Sequence, residues 1–212
     1  MPLSAWLLFV TISLVTAFTP GPAVLLAVSN AIAWGPRKTL LGSSLGSVIG
    51  IFTVSGAAMA GLGTLLHSSA WLFAGLKTAG ALYLVYLGFR QWTRKSSVFD
   101  KPLATATGPT KSRLDLFRQG TLVSLTNPKS ILFFTALFPQ FLHLDAPLLP
   151  QFFALTSAFA VCALVSHVVY VLLAHRLQGW FATPQRAKLF NQVCGGAFGL
   201  LGLGLLRLKN PA

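Results

Sequence analysis

Two proline motifs inside long apolar segments carry the most informative chemistry in the sequence. The first is Thr19-Pro20-Gly21-Pro22, and the second is Thr126-Asn127-Pro128-Lys129. A proline within a helix removes a backbone donor and clashes with the carbonyl one turn earlier, so each motif predicts a helix break. Carbonyls freed before a break accept hydrogen bonds from an ammonium group, and amides that open the next helix attract an anion. Both motifs are therefore candidate parts of a binding site, with a purely structural kink as the alternative.

Lys129 is the candidate for binding the anionic part of a ligand. It follows Arg118 by 11 residues, which is about 16 Å along a helix and places it near the middle of the hydrocarbon. A lysine at that depth costs roughly 3 kcal/mol on insertion scales, so we expect it to face a cavity or a polar partner. Its candidate partners are helix-end carbonyls, the Ser124 and Thr126 hydroxyls, the Asn127 amide or a bound anion. A structural lysine that bridges broken backbone is the alternative.

Three further groups of residues have chemistry to consider. Lys77 lies about 9 Å inside the third apolar segment, where partial snorkelling and a binding role are both open. His167 and Tyr170 share a helical face, and a histidine in a membrane without carboxylates suits proton transfer, although a neutral hydrogen-bonded histidine is an equal alternative. Small residues repeat at helical spacing in the second segment and favour close helix packing; they are Gly42, Gly46 and Gly50.

The composition describes the solvent in which these residues work. The 212 residues are 54% hydrophobic and 9% charged, with a formal net charge of +13, whereas soluble domains carry about 25% charged residues. We therefore expect an all-α, polytopic membrane protein, with the lipid bilayer as its main partner. The basic charge has an explanation in membrane orientation, so we expect no nucleic-acid partner. Two cysteines in apolar stretches and the lack of clustered ligands predict no disulfide, no metal and no cofactor.

Six apolar segments give the predicted spans. They cover residues 3–33, 40–66, 71–92, 116–142, 148–174 and 189–208. The first is too long for a single straight crossing, because 31 residues extend about 46 Å as a helix against a hydrocarbon thickness of about 30 Å. A polar, basic loop at 93–115 divides the single domain, 1–212, into halves at about 1–92 and 116–212.

The basic residues also predict an orientation. Twelve of the 16 Lys and Arg residues fall on connections that share one side of the membrane, and two fall on the other side. The positive-inside bias then makes the 93–115 loop cytoplasmic and places both termini outside.

An internal repeat divides the chain at the same loop. Thr19-Pro20 aligns with Asn127-Pro128 at an offset of 108, and Gly80-Ala81 aligns with Gly196-Ala197 at an offset of 116. Because each half contains an odd number of predicted spans, the two copies would insert upside down relative to each other, as in many secondary transporters. The sequence thus predicts two inverted three-helix repeats with broken first and fourth helices.

Four stretches of the chain also resemble the LysE/RhtB family of bacterial amino-acid exporters. They lie in family order at 18–22, at 76–84 with 86–88, at 126–129 with 137–141, and at 195–197 with 203–204. The resemblance implies efflux of amino acids or related metabolites across the inner membrane, driven by protons and without enzymatic activity. It also implies that the two broken helices and Lys77 carry the site.

The sequence thus predicts a secondary transporter for a small-molecule substrate, an amino acid or a derivative. Its carboxylate would meet Lys129 and the amides after Pro22, and its ammonium would meet freed carbonyls with Thr16, Thr19, Ser124 or Asn127. Without an acidic residue in any predicted span, a neutral or small amino acid fits better than a dibasic one. The alternatives are an exporter of another small anion and a non-transporting scaffold subunit, and a homodimer is left open.

Overall fold

The computed structural model describes residues 3–66, 70–94, 111–143, 145–181 and 183–207, and the regular structure in these residues is helical. The α-helices are α1 (Leu3–Phe18), α2 (Pro22–Trp34), α3 (Pro36–Thr39), α4 (Leu45–Leu66), α5 (Ala70–Trp92), α6 (Arg113–Leu125), α7 (Pro128–Leu132), α8 (Leu148–Leu172), α9 (Ala174–Phe181) and α10 (Pro184–Arg207). A π-helical turn at Leu40–Ser44 joins α3 to α4, and a π-helical turn at Phe133–Leu137 and a 3-10 turn at Phe138–Phe141 follow α7.

The first apolar segment is broken at its proline motif. Helix α1 ends at Phe18, α2 begins at Pro22, and the two axes meet at 51°. Pro22 occupies the first turn of α2, where its missing amide hydrogen costs nothing, and Gly21 before it has extended backbone (φ −138°, ψ −171°). The break thus falls where the sequence predicts it.

The fourth apolar segment is broken in the same way. Helix α6 ends at Leu125 and α7 begins at Pro128. Between them the Asn127 side chain accepts a hydrogen bond from the Lys129 amide at 3.1 Å and caps α7. The two proline motifs therefore produce the same local feature, a helix end followed at once by a new helix start.

Two helices among the described residues are long and apolar enough to cross a membrane. They are Pro36–Gly61, which runs through the π-helical turn, and Leu148–Leu172; the bent pair α1 and α2 makes a third if it counts as one span. The third, fourth and sixth predicted spans coincide with α5, with α6 and α7, and with α10. In the described residues these helices are not both long enough and apolar enough to count as membrane-crossing helices. The all-helical fold is therefore established, whereas the count of six spans stays a prediction.

Glycines bring α4 and α6 into backbone contact. A Cβ at Gly46 would collide with the Phe117 carbonyl, and a Cβ at Gly120 would collide with the Ser43 carbonyl. At this close approach the Thr121 hydroxyl donates to the Gly46 carbonyl at 3.0 Å. Gly42 and Gly50 line the same contact, with Leu116 and Ser124 respectively beside them. This is the kind of packing expected for the glycine stripe.

Aromatic side chains hold the end of the fourth segment in place. Phe133 packs on Phe159 with ring centroids 4.4 Å apart, and Phe9 packs edge-on against Phe141 at 5.0 Å. These rings are buried and join α1, α8 and the turns that follow α7 into one core. The fourth segment is therefore anchored by aromatic rings after its break and by the α4–α6 contact before it.

A reciprocal cap starts α6 at the end of the basic loop. The Ser112 hydroxyl accepts from the Asp115 amide at 3.1 Å, and the Asp115 carboxylate accepts from the Ser112 hydroxyl at 2.6 Å and from its amide at 2.9 Å. These bonds from Ser112, the hydroxyl first and the backbone second, hold the pKa of Asp115 below its usual value.

Candidate functional site

A cavity of about 620 Å³ lies where the two helix breaks meet. The breaks contribute Thr19, Pro20, Gly21, Pro22, Asn127, Pro128 and Lys129, and α5 contributes Tyr83, Tyr86, Leu87, Arg90 and Gln91, with Arg94 just beyond its end; Leu25, Leu132 and Phe198 complete the lining. The volume is within the range of small-molecule sites. The structure thus brings both proline motifs, 108 residues apart, to one cavity.

Lys129 joins the two breaks directly. Its ammonium donates to the Thr16 carbonyl at 2.6 Å and to the Thr19 carbonyl at 2.7 Å. An ammonium group has three donors, so these bonds leave one proton free of the bonds described, and Lys129 also lines the cavity. The lysine therefore bridges broken backbone and can still meet a ligand.

Gly21, the counterpart of Lys129 at the repeat offset of 108, lies directly against this lysine. A Cβ at Gly21 would lie 3.5 Å from Lys129 Nζ and 3.6 Å from its Cε. The two halves thus differ at this position, with a lysine in one break lying against a glycine in the other.

Helix α8 satisfies the remaining carbonyls at the end of α1. Ser166 donates to the Ala17 carbonyl at 2.8 Å, and the Tyr170 hydroxyl donates to the Phe18 carbonyl at 2.7 Å. The Val15 carbonyl accepts from both the amide and the hydroxyl of Thr19. The expected acceptors for a ligand ammonium are therefore occupied by side chains of the chain itself. Sequence reasoning missed Ser166, although its spacing of four residues from Tyr170 marks the same helical face.

The start of α2 offers amide donors. Gly21 supplies no side-chain cap, and the first described backbone bond of α2 runs from the Leu25 amide to the Gly21 carbonyl at 3.0 Å. The amides of Ala23 and Val24 precede that bond and have no carbonyl of their own helix to donate to. An anion near this helix start would meet amide donors and the positive end of the helix dipole.

A second, small cavity of about 30 Å³ lies behind Lys129, which is room for one water molecule. Its polar lining comes from Ser47, Ser124, Asn127, Ser130 and His167, together with Lys129. Among the described residues, the buried His167 Nδ1 has no hydrogen-bond partner. His167 and Tyr170 thus differ, because the tyrosine is bonded to α1 whereas the histidine faces the small cavity.

The other predicted site residues lie at different places. The Thr126 side chain is exposed and its hydroxyl donates to the Leu122 carbonyl of its own helix at 2.9 Å. The Thr16 hydroxyl is buried with no hydrogen-bond partner among the described residues, and only its carbonyl meets Lys129. Lys77 lies on α5, but its side chain is outside the part of the chain that the structure describes. In that described part, no three His, Cys, Asp or Glu side chains form a group that could hold a metal.

The face of α5 on the cavity was not predicted from the sequence. Tyr83, Tyr86, Arg90 and Arg94 recur at helical spacing along it. From the sequence, the two arginines indicate only the orientation in the membrane. The signal that could have found them is this spacing, which continues past the helix end and combines aromatic hydroxyls with guanidinium groups.

The comparisons with known proteins agree with one another. The family model described as LysE type translocator matches residues 14–209. A homoserine/homoserine lactone efflux protein of Salmonella typhimurium is 34% identical over 201 residues, covering 93% of each chain. An uncharacterized membrane protein of Vibrio cholerae is 32% identical over 206 residues, covering 97% of each, and the membrane protein YrhP of Bacillus subtilis is 27% identical over 207 residues. No solved structure matches the chain.

Proposed function

The chain belongs to the family of LysE-type translocators, and from this premise we propose that it exports small neutral amino acids or closely related metabolites from the cytoplasm. The family is one of translocators and not of enzymes, and the chain is a multi-pass membrane protein. Homoserine is the first substrate to test, because a similar protein of Salmonella typhimurium is named for homoserine efflux.

The observation that carries the proposal is the cavity between the two helix breaks. It combines the Lys129 ammonium with the start of α2, and both favour an anionic group. Unwound backbone at membrane depth is stable only where protein buries it or where it lines a wet cavity. Two such breaks around one cavity support a binding role for both.

In the proposed complex the substrate carboxylate accepts from the Lys129 ammonium and from the amides that follow Pro22. The substrate ammonium approaches the Thr16 and Thr19 carbonyls, with the Ser124 hydroxyl and the Asn127 side chain beside them. Lys129 itself donates to these carbonyls at 2.6 and 2.7 Å. Binding would then exchange one ammonium for another on the same acceptors, while Lys129 turns to the carboxylate.

The charge of the site favours a neutral amino acid over a dibasic one. The sequence has only three acidic residues, Asp100, Asp115 and Asp145. Among the described residues lining the cavity there are Lys129, Arg90 and Arg94 but no carboxylate. A second positive charge on the substrate would remain unpaired there, which costs affinity.

Helix contacts support two inverted halves of three spans each. In the described residues α5 packs on α10, α1 and α2 pack on α8, and α4 packs on α6 and α7. A two-fold axis that relates the first three spans to the last three would map the α5–α10 pairing onto itself. The same axis would exchange the pairing of α1 and α2 with α8 for the pairing of α4 with α6 and α7. In the same proposal the loop at 93–115 lies in the cytoplasm, and both termini lie on the opposite side of the inner membrane, in the periplasm or the extracellular space.

Proton coupling belongs to the proposal, with His167 and Tyr170 as its candidates. His167 is the stronger of the two, because Nδ1 has no partner among the described residues and the ring lines the small cavity beside Lys129. Tyr170 already donates to the Phe18 carbonyl. We also propose a homodimer through the exposed apolar side chains of α10, such as Leu200 and Leu203.

The test is growth and amino-acid release in an exporter-deficient bacterium that expresses the chain and is fed dipeptides, which load the cytoplasm with one amino acid at a time. We expect faster release of homoserine or another small neutral amino acid, and loss of that release in Lys129→Ala. Lys188→Ala is the matched control, because Lys188 is exposed on α10. Normal export by inserted Lys129→Ala and Lys129→Gln would contradict the role given to this lysine.

A second candidate function is export of a small organic anion without an amine. The three cations on the cavity favour it, and the same cells loaded with such an acid provide its test. Enlarging Gly46 would not separate transport from the scaffold alternative, because this glycine packs inside the chain against the Phe117 carbonyl. Either function would therefore be lost with that change.

A further inference from the structure

One face of α5 presents two tyrosines and two arginines to the cavity. Tyr83, Tyr86 and Arg90 lie on this helix, and Arg94 follows its end at the same spacing. The side chains of Tyr86 and Arg90 are exposed, so this end of the cavity is its mouth. Lys129, by contrast, is held at the helix breaks through two backbone carbonyls.

The opposite face of α5 fixes its rotation. A Cβ at Gly88 would lie 2.7 Å from the Gly195 carbonyl, and one at Gly202 would lie 2.9 Å from the Ala81 carbonyl. With backbone contacts this close, α5 cannot turn on its axis against α10 without a clash. The arginine face is therefore directed to the cavity by packing on the other side of the helix.

A buried polar network holds the end of the same helix. Gln91 donates to the Asn191 side chain at 2.9 Å, and Asn191 donates in turn to the Arg94 carbonyl at 3.1 Å. Both amide side chains are buried, where such bonds are strong and specify one geometry. The backbone that carries Arg90 and Arg94 is thus held in place before any ligand arrives.

The described lining of the mouth is positively charged. None of the three aspartates of the sequence is among the described residues that line the cavity, whereas two guanidinium groups are. Arginine binds a carboxylate with two parallel hydrogen bonds, and neighbouring tyrosine hydroxyls add further donors. A ligand with a free carboxylate fits this arrangement, and a ligand with only a positive charge does not.

We propose that Arg90, supported by Arg94, forms a carboxylate-binding site at the mouth of the cavity and selects substrates with a free carboxylate before they reach Lys129. The inference rests on the proposed export function and names its substrate class. The similar Salmonella protein is named for efflux of both homoserine and its lactone. The lactone has the same amine and carbon skeleton but no free carboxylate, so this chain favours homoserine over the lactone.

The test compares the two compounds in proteoliposomes that contain the purified full-length chain. Arg90→Gln is expected to raise the half-saturating concentration of homoserine about tenfold, the effect of losing one charged hydrogen bond, and to leave that of the lactone unchanged. Arg90→Lys falls between, because it keeps the charge and loses the paired geometry. Arg118→Gln is the matched control, since Arg118 is exposed on α6 and does not line the cavity.

An equal change for both compounds in Arg90→Gln, or no change for either, would overturn the selection role while leaving export itself intact. Transport of neither compound by the unmodified chain would count against the proposed function instead. Arginine labelling by phenylglyoxal then decides the site independently, with the modified residue identified by mass spectrometry. We expect homoserine, but not the lactone, to protect Arg90, and labelling at Arg90 that homoserine does not slow would overturn the inference.

Discussion

Replacing Lys129 by methionine tests whether its ammonium holds the two helix breaks together. Methionine keeps most of the length and apolar volume of the side chain but has no donor. The Thr16 and Thr19 carbonyls, which Lys129 bonds at 2.6 and 2.7 Å, then lose it as a donor. A hydrogen bond from a charged group contributes about 1.5 to 3 kcal/mol, so the gross loss is about 3 to 6 kcal/mol.

Part of this loss, about 1 to 2 kcal/mol, is offset because methionine avoids the cost of burying an ammonium, and this cost is reduced here since Lys129 is only partly buried. We therefore expect Lys129→Met to lower the free energy of unfolding by about 2 to 4 kcal/mol. Lys129→Gln keeps two N–H donors on a shorter side chain, and its loss should be about half as large.

The assay is equilibrium unfolding of the purified protein in mixed micelles titrated with a denaturing detergent, followed by helical circular dichroism. Lys188→Met is the control, since Lys188 is an exposed residue of α10 and its change should stay within about 0.5 kcal/mol. If Lys129→Met matched that control, or stabilised the protein, the bridge would contribute nothing to the fold and the reasoning would be refuted.

Four further predictions follow from single contacts. Gly46→Ala should destabilise the fold by about 1 to 3 kcal/mol, because the new Cβ collides with a backbone carbonyl of α6. Gly61→Ala on the same helix is the control and should not destabilise the fold, since no neighbouring atom lies within 4 Å of the new Cβ. Similar stabilities of the two variants would contradict the packing of Gly46. Tyr170→Phe removes the 2.7 Å bond to the end of α1 and should cost about 1 kcal/mol in the same titration; an unchanged midpoint would argue against that bond. His167→Gln should preserve exchange of substrate across vesicles but lose its acceleration by a pH gradient, and retained acceleration would exclude His167 as the proton carrier. Because the pKa of Asp115 is lowered, its cap stabilises the start of α6 at pH values above about 4, the ordinary pKa of an aspartate, and this stabilisation is lost as the pH falls through the lowered pKa. Asp115→Asn should therefore flatten the pH dependence of the free energy of unfolding below about pH 5. The same pH dependence in the variant and the unmodified protein would refute this role of the cap.

The sequence predicts the helix breaks well because their cause is local. A proline disrupts its own helix whatever surrounds it, so the motifs that contain Pro22 and Pro128 are sufficient to place the ends of α1 and α6. The helical class follows for a similar reason, since backbone groups in lipid must be satisfied within the segment that carries them.

The partners across the site could not be derived from local chemistry. Helix-end carbonyls were one of several candidate partners for Lys129, and only the three-dimensional arrangement selects those of Thr16 and Thr19. Arg90 illustrates the same limit, because the rotation of α5 is set by its glycine contacts with α10. A helical stripe is visible in a sequence, but the side on which the cavity lies is decided by packing elsewhere.

The most direct test of the account is efflux of radiolabelled homoserine from proteoliposomes that contain only this chain and lipid. The account predicts release that saturates with internal homoserine, exceeds that of protein-free vesicles and of vesicles with Lys129→Ala, and is faster for homoserine than for lysine. The claim that the cavity between the two broken helices carries such substrates would be contradicted by one result. In that result, homoserine and the other small neutral amino acids all leave the proteoliposomes no faster than they leave protein-free vesicles.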